Sequence, residues 1–269
     1  MNLNRTWLYS QFELTRLFAT KRGWLAVTAF SLVWFMVLRY PIYNAVPFIN
    51  SPEFEGFVSQ LAGTVGLYSL VSWPEAELAI FWVIALFTFP MFSVFVTADQ
   101  TVEDRNRGTV RFLTLRSTRF ELLLGRFMGQ VFILAVLIGL VCIATLIMMG
   151  IRDSGLVSSG LTKTLAIWAK LLITCLPFIA LMSLLNLLTN SARMSIVFAI
   201  LFFTIIASVI TYVGDVYPMF SFLNFAIPGH HIGDITGWQS DAHFSLLVPI
   251  FQTVALLGAG QFILRERDL

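Results

Sequence analysis

Five stretches of this chain run for more than twenty residues without an Asp, Glu, Lys or Arg: 78–98, 127–151, 171–192, 194–214 and 242–264. An α-helix crosses about 30 Å of hydrocarbon in roughly 20 residues, so each run is long enough to span a bilayer. A sixth run, 23–38, is shorter. It follows Lys21 and Arg22 and extends past Arg39 if that side chain reaches out to the interface. Soluble domains carry about 25% charged residues. This chain carries 12%, with 58% hydrophobic residues and 26 Phe, and a water-soluble fold is ruled out.

Two further uncharged stretches read differently. Residues 56–74 are diluted by Ser, Thr, Gln and Gly, and 216–233 is interrupted by Pro218, Pro228 and the pair His230 and His231. Both read as interfacial or re-entrant segments, where irregular backbone must be shielded by protein or water. The expectation is an all-α integral membrane protein with six transmembrane helices at 23–43, 78–98, 127–150, 164–188, 194–213 and 243–264. Outer segments occupy 44–77 and 214–242.

Orientation follows from the distribution of Lys and Arg across the short loops. With the N-terminus in the cytoplasm, 13 of the 17 basic residues collect inside, six of them in 99–126. Both termini then lie inside, and the outer loops carry Glu53, Glu55, Glu75, Glu77, Asp153, Asp215, Asp234 and Asp241. Promoting either diluted stretch to a span would put one set of charges on the wrong side. Trp24 falls at the inner boundary, and Trp73, Trp82 and Trp168 near the outer one, as aromatic belts do. The first span is expected to be retained, because no A-x-A-like cleavage site follows it before Arg39. Ahead of it, residues 1–22 form an expected interfacial helix. Leu3, Trp7, Leu14 and Phe18 share one face, and Arg5, Glu13, Arg16 and Thr20 point elsewhere. The net charge of +2 gives no reason to expect a nucleic-acid partner.

Residues 99–126 read DQTVEDRNRGTVRFLTLRSTRFELLLGR and hold ten charged residues, more than any other interior segment. Thr101 with Asp104, and Thr118 with Glu121, have the spacing of capping boxes, with Gly108 as a break between two short surface helices. Val110, Phe112, Leu113 and Leu115 interleave with Arg111 and Arg116, which gives a helix an apolar side to set on another protein and arginines for its rim.

This loop resembles the one after the second helix in membrane subunits of ATP-binding-cassette transporters of the ABC 2-type. The matching features are Glu103, Asp104 and Arg105, then Gly108 and Thr109, then Leu113 and Leu115, and the run from Phe120 to Arg126. The overall layout resembles that family too, down to an Arg-Asp-Leu ending at 267–269. Ser117 and Thr118 depart from it, standing where the family often has proline. The resemblance implies a permease subunit that forms half of a translocation pathway and is not itself an enzyme. It implies a cytoplasmic coupling helix between the second and third spans, with Glu103, Arg105, Arg107, Gly108, Phe112 and Leu113 contacting the motor. It implies two copies of a partner ATPase subunit holding ATP and Mg, a second permease subunit, identical or similar, and a bacterial inner membrane. No cofactor is expected in this chain: it lacks a G-x-x-x-x-G-K-[ST] phosphate cradle, and Lys163, followed by Thr164, is preceded by Thr162. The alternatives are an ion-driven secondary transporter, which would show inverted repeats and midplane ionisable groups, and a non-transporting anchor for an ATPase-driven remodelling complex.

Inside the spans, Lys170 lies about 10 Å beyond Lys163 along the fourth helix. A cation there is expected to face protein or a wet pathway; the alternatives are an amine that snorkels to the outer surface or one that pairs with an acidic residue such as Glu75 or Glu77. His230, His231 and His243 are read as polar residues around a re-entrant turn at Pro228 and Gly229, with no metal. Asn186, Thr189 and Asn190 are read as turn-capping residues. Gly125 and Gly129 permit close helix approach, and Cys142 and Cys175 are buried small hydrophobes.

Overall fold

A computed structural model describes residues 3–44, 46–47, 73–98, 118–189, 191–236 and 242–266. No strand occurs among them. The chain opens with α1 (Leu3–Ala19), turns at Thr20, whose hydroxyl accepts from the Gly23 amide, and continues as α2 (Lys21–Val37) into a π turn at Leu38–Ile42. Then come α3 (Ala76–Val96), α4 (Arg119–Arg152) and α5 (Val157–Leu188). The next span is α6 (Ala192–Leu201) and α7 (Ala207–Val216), joined by a π turn at Phe202–Ile206. A 3₁₀ segment (Pro218–Ala226), the short α8 (Ile232–Thr236) and α9 (Ala242–Glu266) complete the fold.

Six of these helical stretches are long and apolar enough to cross a membrane, within Gly23–Ile42, Ala76–Val96, Arg119–Arg152, Ser154–Leu188, Ala192–Val216 and Ser245–Leu264. The protein is an all-α, multi-pass membrane protein, as expected. Helix is the form available because hydrocarbon offers backbone groups no partner. Pro90 and Pro249 interrupt the ladder of their spans, since neither has an amide N–H to give the carbonyl four residues earlier. Beside them Ser93 Oγ donates to Pro90 O at 2.6 Å and Thr253 Oγ1 to Pro249 O at 2.7 Å.

The core forms where α5 packs along α9, α4 and α3. Phe81, Trp82, Leu86 and Phe89 of α3 meet Leu134 and Ile138 of α4 and Ile167, Leu171 and Ile179 of α5, all fully buried. Cys142 and Cys175 are free thiols in this cluster. By contrast, only 17% of the α2 span and 11% of the α6–α7 span are buried, against 67% for α5. α2 is held mainly by rings: Trp34 stacks on Phe89 at 4.8 Å, and Phe30 lies 4.9 Å from Phe92.

Residues 216–233 fold back against the helix bundle, the arrangement a re-entrant segment would take. Lys163 pairs with Glu75 just ahead of α3. The tight turn at Gly229 (φ 91) packs against Phe178, about 22 Å of helix rise beyond Lys163 and about 13 Å short of Leu187. Its non-helical backbone is served by Gln252 of α9, which donates to Phe225 O at 2.7 Å and Ile227 O at 3.0 Å. His231 is buried against the Phe225 ring, 4.9 Å away, and His230 beside it is exposed. The other diluted stretch, 56–74, falls almost wholly outside the described residues.

Candidate functional site: the platform that carries residues 99–117

Glu103, Arg105, Arg107, Gly108, Phe112 and Leu113 lie outside the described residues, as do Thr101 and Asp104. Both attachment points of their loop are described. On the incoming side, Thr97 Oγ1 donates to Ser93 O at 2.6 Å, and Asn186 Nδ2 of α5 donates to Thr97 O at 2.8 Å. Ser93, Thr97 and Asn186 are all fully buried.

On the outgoing side, Thr118 forms the expected capping box with Glu121: the Glu121 amide donates to Thr118 Oγ1, and the Thr118 amide donates to Glu121 Oε2. The cap does not open a separate short helix, as the spacing suggested. It opens α4 itself, which at 34 residues extends well beyond the hydrocarbon. A charged Arg119 at this end reaches across to α9, donating to Leu264 O at 2.5 Å, where the helix dipole favours a cation. Below it Leu123, Leu187 and Leu264 cluster.

The first turns of α4 are also clasped by α1. Gly125 and Gly129 let α1 approach so closely that a Cβ on either would fall 2.7 Å from Tyr9 Cβ or Glu13 Cβ. Ser10 Oγ donates to Gly125 O at 3.0 Å, and Arg126 meets Glu13 at 3.5 Å with both side chains only 3–4% exposed. The face of α1 turned to the protein is therefore Thr6, Ser10 and Glu13, while Trp7, Leu8, Phe12 and Phe18 stay exposed. Sequence reading put the apolar stripe and Glu13 on different faces without saying which one packs. At the α5–α6 turn, Thr189 and Ser195 share a 2.5 Å hydrogen bond and Ser191 caps α6; Asn190 is outside the described residues.

At the opposite end, Glu77 takes a bidentate bond from Arg152 at 2.5 and 2.9 Å. Glu75 accepts from Lys163 and from Ser159, each at 2.6 Å, and Lys163 sits 4.6 Å from the Trp73 ring centre. These pairings correct one expectation: Glu75 and Glu77 bind Lys163 and Arg152 and not Lys170, because the two cations nearer the ends of α4 and α5 reach them first. Lys170 is half-buried on α5, its carbonyl accepting from Thr174 Oγ1.

Burial alone would raise the Glu75 pKa, but the hydrogen bonds from Lys163 and Ser159 outweigh it and hold the carboxyl below its usual value. A depressed folded-state pKa means that this stabilisation is complete above the unfolded value of about 4.3 and is lost as pH falls through the lower folded value. In Lys163→Met the carboxylate loses its cation and protonation relieves it. Thermal unfolding in detergent is therefore expected to show a large gap between parent and variant at pH 7 that narrows toward pH 4. A gap of constant size across that range would contradict the assignment.

What the fold and this platform define is a polytopic α-helical membrane protein with a charged interhelical loop rooted in its helix bundle. Residues 74–269, from α3 to the last residue, match the model of a family described as protein of unknown function (DUF2705), and the chain belongs to that family. No curated protein matches it.

Proposed function

We propose that this chain is the permease subunit of an ATP-binding-cassette exporter in a bacterial inner membrane. It pairs with a second permease subunit, identical or similar, and two ATPase subunits. Both termini and residues 99–117 face the cytoplasm, in keeping with the Lys and Arg distribution. Glu103, Arg105, Arg107, Gly108, Phe112 and Leu113 grip the ATPase, which supplies ATP and Mg.

The observation that carries this reading is the anchoring of the loop at both feet: to α5 through Asn186, to α9 through Arg119, and to α1 through Ser10 and Glu13. A loop fastened in this way converts a push from outside the membrane into movement of helices instead of dissipating it locally. A solvated basic loop would not need such footings.

The test is purification of the tagged chain from native membranes. The expected result is co-recovery of an ATP-binding-cassette ATPase in equal amount; a chain recovered without any ATPase would favour the ion-driven alternative. Lys170, half-buried on α5, is assigned to the pathway as part of this proposal. With the ATPase still bound, Lys170→Met is expected to lower export in reconstituted vesicles, and undiminished export would remove that role.

A further inference from the structure

We infer that Asn186 is the positioning residue through which movement of the 99–117 loop reaches the loosely packed α6–α7 span. The inference rests on the proposed function and adds the route inside the bundle.

The chain of contacts is short and buried. The last turn of α3, where the loop begins, passes its Thr97 carbonyl to Asn186 Nδ2 at 2.8 Å. Three residues on, still at the end of α5, Thr189 shares its hydroxyl bond with Ser195 of α6. One end of α5 is thus bolted to α3 on one side and to α6 on the other.

The span beyond Ser195 is built to respond. It is the least buried of the six, and its helix is interrupted midway by the π turn at Phe202–Ile206, where the regular hydrogen-bond ladder is broken. Elsewhere α5 is enclosed on three sides by α3, α4 and α9, so a displacement arriving at Asn186 is passed on most easily to α6. Asn186 Oδ1 is also fully buried and accepts no hydrogen bond among the described residues. Its amide therefore holds a spare acceptor with which to take a new partner when Thr97 moves.

The experiment uses the full chain purified with its ATPase in lipid nanodiscs, with Asp215→Cys, exposed at the far end of α7, as a reporter for maleimide labelling. Cys142 and Cys175 are buried and serve as silent background. In the parent, ATP with vanadate is expected to change the labelling rate by about fivefold or more, the lower range of an ordinary allosteric coupling. Asn186→Leu is expected to keep the ATPase bound and hydrolysing while that ATP-dependent change disappears. Ser195→Ala, a milder cut in the same route, is expected to do the same, which covers failure of the leucine variant to fold. Variants that respond to ATP like the parent would overturn the inference, as would variants that shed the ATPase, because Asn186 would then serve docking. A parent chain that carries no ATPase would instead sink the proposed function, and the inference with it.

Discussion

Replacing Phe112 and Leu113 together by aspartate is expected to abolish recovery of the ATPase subunit with the tagged chain. Fully burying a Phe or Leu side chain contributes about 1.5–3 kcal/mol, so losing both removes roughly 3–6 kcal/mol before the cost of desolvating two carboxylates is counted. At 1.4 kcal/mol per tenfold, affinity should fall by at least about a hundredfold, enough to empty a co-purification of all but the tightest complexes. The control is Ser158→Asp, which introduces a carboxylate at an exposed side chain at the opposite end of the bundle and should leave recovery unchanged. Recovery of the complex from the double variant at parental yield would remove Phe112 and Leu113 from the docking face.

The second large effect is expected at the Glu13–Arg126 pair. Both side chains are almost wholly buried between α1 and α4, and breaking a buried pair by removing one partner costs about 3–5 kcal/mol, less for the loss of Arg126 because Glu13 also lies 3.9 Å from Arg16. Glu13→Leu and Arg126→Met are each expected to lower the thermal unfolding midpoint sharply in detergent. The double variant replaces the pair by apolar groups of similar size and should recover most of the loss. A double variant as unstable as the two single losses added together would show that the charges act through separate partners. Because α1 clasps the first turns of α4 beside the loop, the single variants should also weaken ATPase coupling.

The parts of this fold that could be read in the sequence follow from laws that act locally. Hydrocarbon thickness fixes how long an uncharged helix must be, so six spans were countable. Thr118 and Glu121 announce a helix start by their spacing, and Gly125 and Gly129 announce a close contact without naming α1 as the neighbour. Pro218, Pro228 and the histidine pair marked 216–233 as unable to cross as a plain helix.

What escaped reading depends on distance in the chain or on the solvent. Glu75 finds Lys163 eighty-eight residues later, and Arg119 finds the Leu264 carbonyl 145 residues later, with no periodicity to signal either. The alternative that paired Lys170 with Glu75 or Glu77 does not hold, because Lys163 and Arg152 take both carboxylates. The packing face of α1 was hidden for a different reason. In water the apolar face of a helix packs on protein, but here the polar face carries Ser10 and Glu13 to α4, while Trp7, Leu8, Phe12 and Phe18 stay exposed and Leu14 packs on the core. The candidate loop was legible through its residue pattern, and its anchors on α5, α9 and α1 were not.

The central claim, that residues 99–117 reach a motor on the cytoplasmic side, is tested most directly by accessibility. Arg111→Cys should react with a membrane-impermeant maleimide in inverted membrane vesicles and stay unreactive in intact cells. Ser158→Cys, exposed at the opposite end of the bundle, should show the reverse. Labelling of Arg111→Cys from the outside of intact cells would put the loop across the membrane from any ATPase and contradict the account.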